Sequence, residues 1–199
     1  MGKMFAFFEE KTENINGVRV LSRFESLAFE NVYFKYPHTE KYILSGASFA
    51  LERGDKLSIV GINGSGKSTI IKLMLGLYTP DSGRILINGY PMEDYDIREV
   101  RKLFSALFQS FVQYPLTLRE NVSLSALERM ENDEEIEAVL LQSGIYGDLQ
   151  PKLEKGLDSL MSRNFDDKGT ALSKGQWQKI ALSRAYFKNA QIVIFDEPS

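Results

Sequence analysis

The 199-residue sequence has no cysteine and a single histidine, His38. The first absence excludes disulfides, cysteine-ligated zinc and thiol catalysis, and the second leaves no set of imidazoles for a metal cluster. No apolar run approaches the ~20 residues that span a bilayer as a helix. The opening MGKMFAFFEE is too short, and too quickly followed by acids, to act as a signal peptide. Position 6 is Ala rather than Ser or Thr, so Met1-Gly2 does not complete a myristoylation pattern. An excess of basic residues is missing as well. The net charge is −3 and the pI about 5.4, which argues against a nucleic-acid binder whose affinity rests on a basic surface, without forbidding a local basic patch, and no such partner is expected. There is no internal repeat and no low-complexity tract. What remains is 43% hydrophobic and 26% charged, the balance of a soluble globular chain long enough for one good core.

Along the chain, residues 9–25 are polar and mixed, with Asn16-Gly17 as a turn signal. LAFENVYFKYP alternates apolar and polar residues and predicts a half-buried strand ending near Pro37; ILSGASFALERGD predicts a second, closed by Gly54-Asp55. KLSIVG is short and apolar throughout, the pattern of a buried central strand. KSTIIKLMLGLY has helical spacing and stops near Gly76 and Pro80. GRILING reads as a strand with an Asn-Gly turn, DIREVRKLF as a short helix and FSALFQ as a short strand. From about Leu118 to Leu172 the chain turns to Glu, Leu, Asp, Asn and Lys at helical spacing, then SKGQWQKIALSRAYFK forms one more helix and QIVIFD a buried strand. Alternating strands and helices place the chain in the α/β class with a largely parallel sheet.

One motif fixes the chemistry. Gly61, Ile62, Asn63, Gly64, Ser65, Gly66, Lys67, Ser68 and Thr69 read G-x-x-x-x-G-K-S-T between a predicted strand and a predicted helix. Glycines let the backbone curl until several N–H groups face phosphate oxygens, and the helix N-terminus adds a favourable dipole. Lys67 would reach the β- and γ-phosphates and the Ser68 hydroxyl would ligate Mg²⁺. A chance match in a chain of this length is roughly one in a hundred, and the strand–loop–helix context lowers it further. The second half of such a site is an acid at the tip of a buried strand. IVIFD supplies Asp196 to hold Mg²⁺ through water, and Glu197 follows it, placed to orient the attacking water.

Between these halves lies ALSKGQWQKIALSRA, which resembles the L-S-G-G-Q signature of ATP-binding cassette (ABC) proteins as Leu172, Ser173, Lys174, Gly175 and Gln176. The resemblance covers about Phe24 to Ser199 and implies a P-loop NTPase core with a mainly parallel sheet, an N-terminal antiparallel part and a helical subdomain. It also implies ATP and Mg²⁺ as ligands. By the same resemblance Tyr36, 25 residues before Gly61, stacks on adenine, and Gln109 senses Mg²⁺ and the γ-phosphate. Residues 114–121, YPLTLREN, resemble the stretch facing the coupling helices of a membrane domain. Ser173 and Gly175 match residues that contact the γ-phosphate of ATP held by the opposite protomer, which implies a head-to-tail dimer, homo- or heteromeric. Lys174 departs from the pattern: if its position needs φ > 0, lysine is strained there.

The segment from Ser162 to Ser199 is most similar to exporters whose membrane domain precedes the ATPase on one polypeptide, with a lean toward bacterial peptide or bacteriocin exporters. The expected organisation is a lead-in from a membrane domain over 1–25, a nucleotide-binding core over 26–118, a helical subdomain over 119–172, and the signature helix with the Walker B strand over 173–199. The expected location is the cytoplasmic face of the membrane. Two alternatives accompany this reading: a soluble ABC ATPase of DNA repair or translation, and a nucleotide-binding fragment without turnover. The family's switch histidine and the strands after its Asp-Glu pair have no counterpart before Ser199, so the 199 residues alone are expected to hydrolyse ATP poorly.

Overall fold

A computed structural model of the protein describes residue 15 and residues 17–108, 110–162 and 169–196. The chain divides into two compact units, Met1–Leu103 and Phe104–Ser199.

The first unit is built on a four-stranded antiparallel sheet in the order β2-β1-β3-β4. Strand β1 (Ser26–Phe34) buries Leu27, Phe29, Val32 and Phe34. The step from Phe29 to Val32 is odd, which in a regular strand would turn Val32 to the other face. A register shift there, with Asn31 at φ 48°, restores the face. The strand stops at Phe34, short of the predicted Pro37. β2 (Leu44–Glu52) and β3 (Ser82–Ile87) flank it, and the predicted Asn88-Gly89 turn leads into β4 (Tyr90–Pro91). Helix α1 (Lys67–Met74) buries Ile71, Leu73 and Met74. Its last carbonyls do not go unpaired: Arg101 of α2 (Ile97–Lys102) donates to Leu75 O at 3.2 Å and Gly76 O at 3.1 Å. Before the sheet, Arg19 is fastened to its edge. Its amide donates to Asp94 O, its Nε to Asp94 Oδ2, and its guanidinium lies 3.3 Å from the Tyr90 ring centroid.

One element departs from the sequence-based expectation. Lys56–Val60 is not a strand, and Leu57 and Val60 are 45% and 89% exposed. An apolar run becomes a strand only where a neighbouring ladder takes its N–H and C=O groups. Among the described residues no strand of the first unit pairs with it.

In the second unit β5 (Phe104–Leu107) and β6 (Ile192–Phe195) pair in parallel, Phe104 opposite Ile192 and Leu107 opposite Phe195. The helices are α3 (Leu118–Ser123), α4 (Asp133–Gln142), α5 (Tyr146–Leu149) and α6 (Lys174–Phe187). Leu118, Val122, Ile136, Leu140, Leu149, Trp177, Ile180 and Phe187 form their common core. Ser105 Oγ donates to Ala185 O at 3.0 Å and ties α6 to the parallel pair. The α/β class expected from the sequence is therefore present, with an antiparallel part in one unit and a parallel pair with its helices in the other. Among the described residues no helix is long and apolar enough to cross a membrane.

Two buried groups set the path of the segment before α3. Asn121 is fully buried, and its amide nitrogen lies 3.0–3.2 Å from the carbonyls of Tyr114, Leu116 and Thr117, which share its two hydrogens. Arg184 of α6 donates to Asn121 O at 2.8 Å and Asn121 Oδ1 at 3.2 Å, and lies over the Tyr114 ring. Burial pushes the Arg184 guanidinium below its usual value, yet an arginine stays protonated, so it depends on these partners. Asn121→Ala leaves buried carbonyls and part of the guanidinium unmatched. It is expected to destabilise the protein by about 2–4 kcal/mol, read as a lower thermal unfolding midpoint against wild type. Nearby, Arg119 bridges Asp158 and Asp133, and its hydrogen bond holds the Asp133 carboxyl below the ordinary carboxylate range. That contribution is present above the unfolded carboxylate value and is lost as pH falls through the depressed one.

Candidate functional site

The glycine loop and its helix lie within the first unit. Gly61 to Ser65 are solvent-exposed, while Thr69 is buried. Gly66 immediately precedes α1 at φ 97°, and Gly64 stands at φ 82°, both left-handed. A Cβ on Gly66 would also come 2.9 Å from Leu44 Cδ2. The helix has no side-chain cap at Gly66 and no acidic residue in its first turn. Its N-terminal dipole therefore faces the loop without a carboxylate to offset it. The Lys67 ammonium folds back into the loop, donating to Gly61 O at 2.9 Å and Ile62 O at 3.3 Å. Loop curvature, an unopposed helix N-terminus and an inward ammonium together make a cradle for a polyanion. The Ser68 hydroxyl stands on the helix's second residue, on the exposed side. Among the described residues there is no group of three or more His, Cys, Asp or Glu side chains that could hold a metal ion.

The structure brings Tyr36 to this helix. Its hydroxyl lies 3.0 Å from Thr69 Oγ1, and its ring meets Phe34 and Tyr78 edge to face. The ring is half-buried. Lys72, one turn beyond Thr69, lies over the same ring, a neighbour that the sequence spacing does not reveal.

In the second unit, Leu172 packs against the helical core and Ser173 caps α6. Ser173 Oγ accepts from Gln176 N at 3.2 Å, and Gln176 Oε1 accepts from Ser173 N at 3.0 Å. This reciprocal pair is a capping box, and its S-x-x-Q spacing is legible in the sequence. Lys174 and Gly175 form the first helical positions and are exposed; neither has a positive φ. The strain foreseen for Lys174 is absent, because the first turn of a right-handed helix accepts any side chain there. Ser173, Gly175 and Gln176 line an open cleft of about 780 Å³ with Leu107, Phe195 and Lys179. Lys179 is engaged there, donating to Gly144 O and Asp148 Oδ2. Asp196 follows β6, and its amide donates to Leu107 O at 2.9 Å, extending the parallel ladder by one bond. Gln109 and Glu197 lie outside the described residues.

The profile of the family described as ABC transporter matches residues 44–199. The chain is 38% identical, over its whole length, to the subtilin transport ATP-binding protein of Bacillus subtilis, and covers 32% of that protein. It is 41% identical over 85% of its length to the nisin transport ATP-binding protein of Lactococcus lactis, covering 28% of it. Against the mitochondrial iron-sulfur clusters transporter of Saccharomyces cerevisiae it is 40% identical over 86% of its length, covering 24%. A bacterial Atm1-family ABC exporter solved with ATP bound superposes with a TM-score of 0.83 and 29% identity, over 99% of this chain and 34% of the exporter chain. The chain thus spans between a quarter and about a third of the curated relatives' length.

Proposed function

The chain belongs to the ABC transporter family, and from that premise we propose that it is the ATP-binding and ATP-hydrolysing domain of an exporter. The observation that carries this reading is the Gly61–Thr69 cradle, with its left-handed Gly64 and Gly66 and its inward Lys67 ammonium. In this function Lys67 and the loop amides neutralise the β- and γ-phosphates, and Tyr36 takes the adenine. Mg²⁺ would be held by the Ser68 hydroxyl, by Gln109 and, through water, by Asp196, and would supply charge neutralisation at the reacting phosphate. Glu197 orients the water for in-line attack on the γ-phosphorus, with ADP as the leaving group. Positioning and charge stabilisation account for most of the rate in such a reaction.

Ser173 and Gly175, at the open start of α6, are assigned to the γ-phosphate of ATP on a second cassette, identical or not. The capping box takes the Ser173 and Gln176 amides and holds the start of α6, with the Lys174 and Gly175 amides between them, in place for that contact. The remaining partner is a transmembrane domain, supported by relatives three to four times as long as the chain. The place of action is then the cytoplasmic face of a membrane. A cargo among peptides or bacteriocins is supported by the relatives named for subtilin and nisin transport.

The cradle is tested by Gly66→Ala. Alanine at φ 97° is strained, and its methyl meets Leu44. ATP affinity, measured by calorimetry on the intact protein, is expected to fall by roughly 5- to 150-fold, since strain of order 1–3 kcal/mol falls on the binding conformation. Unchanged affinity would remove the loop from the site.

A further inference from the structure

Tyr36 stands two residues beyond β1 and is fastened to α1 by more than its bond to Thr69. Lys72 Nζ lies 3.4 Å from the Tyr36 hydroxyl and 5.3 Å from its ring centroid. An ammonium has only donors, so the phenol oxygen accepts from Lys72, and between the Tyr36 hydroxyl and Thr69 Oγ1, 3.0 Å apart, either can donate. Phe34 and Tyr78 meet the ring edge to face, with centroids 5.1 and 5.3 Å away at 81° and 86°. These hydrogen bonds and two perpendicular rings hold the ring plane. The ammonium sits beside the hydroxyl end of the ring.

We propose that Lys72 is a positioning residue for the nucleotide base, acting through Tyr36. The proposal rests on the nucleotide-binding reading above and extends it to a residue outside the glycine motif. Two physical effects act in the same direction. Holding the ring in one plane removes the ordering cost that stacking would otherwise carry. A cation at the phenol oxygen draws electron density from the ring and strengthens its stacking with an electron-rich purine. Both effects act on the base alone. Any general attraction between the Lys72 charge and phosphate acts equally on every polyphosphate, so the two contributions separate by ligand.

The test compares equilibrium binding of ATP and of inorganic tripolyphosphate to the intact protein and to three variants. In Tyr36→Ala the ratio of ATP to tripolyphosphate affinity is expected to fall about 10-fold or more, the usual scale of a base–aromatic stack. In Lys72→Met it is expected to fall about 2- to 5-fold, the scale of an exposed cation–ring contact. Lys72→Arg, which keeps the cation, is expected to retain most of the ratio. Tripolyphosphate binding by each variant reports that its loop is folded. If Lys72→Met leaves the ratio unchanged while Tyr36→Ala lowers it, the inference is overturned and the base site stands. Equal losses of both ligands in Lys72→Met assign Lys72 a general electrostatic or structural role, which also overturns it. An unchanged ratio in Tyr36→Ala removes the aromatic from the base. Absence of tripolyphosphate binding by the unaltered protein removes the nucleotide reading itself.

Discussion

Glu197→Gln in the intact protein is expected to slow phosphate release from Mg-ATP by about 10²–10⁴-fold while ATP affinity stays within about two-fold. The substitution keeps the size of the side chain and one carbonyl acceptor and removes the negative charge. A neutral amide still meets a water molecule, but it does not draw the proton as the water becomes a nucleophile. The difference falls on the transition state, where the new bond to phosphorus forms, and the ground state is nearly untouched. Such a split, with hydrolysis lost and binding kept, distinguishes a water-orienting carboxylate from one that merely ends a strand. A strand-end acid would leave the hydrolysis rate unchanged. A carboxylate needed for folding would lose ATP affinity together with the rate.

Lys67→Ala is expected to act on both steps. The ammonium now donates to Gly61 O and Ile62 O, within the loop that would receive the phosphates. With ATP present those donors would turn to the β- and γ-phosphate oxygens as charge-assisted bonds, a net gain of about 1.5–3 kcal/mol once the bonds to the two carbonyls are given up. Removing them should weaken ATP binding by roughly 10- to 100-fold and reduce hydrolysis to background, because charge develops on the leaving oxygen between the β- and γ-phosphates in the transition state. Arginine is not expected to rescue the activity, since its planar fork fills the loop differently from a compact ammonium. Calorimetry and phosphate release on the same preparations check both halves. Wild-type affinity in Lys67→Ala would contradict the assignment.

Much of the fold was legible because its signals are local. The helix after Lys67 was announced by its glycine loop and apolar spacing, the hairpin after Ile87 by Asn88-Gly89, and α6 by the spacing around Trp177 and Ile180. The S-x-x-Q of Ser173 and Gln176 was equally readable as a capping box, and it explains why Lys174 is tolerated: the residue begins a helix. The departures arise where the deciding interaction is remote in sequence. Lys56–Val60 has the composition of a strand, but composition does not supply the neighbour that its backbone needs. Asn121 looks like an ordinary polar residue in a short helix. Its role depends on three carbonyls and on Arg184, 63 residues away. The same holds for Lys72, whose ring partner lies 36 residues earlier. The motifs name the residues proposed to meet phosphate, and tertiary contacts decide which residues hold them in place.

The most direct test of the central claim is the rate of phosphate release from Mg-ATP by the intact protein reconstituted in liposomes, with Lys67→Ala as the background. The account predicts hydrolysis that saturates with ATP and stands well above that background. A rate that matches the Lys67→Ala protein at saturating ATP would contradict it.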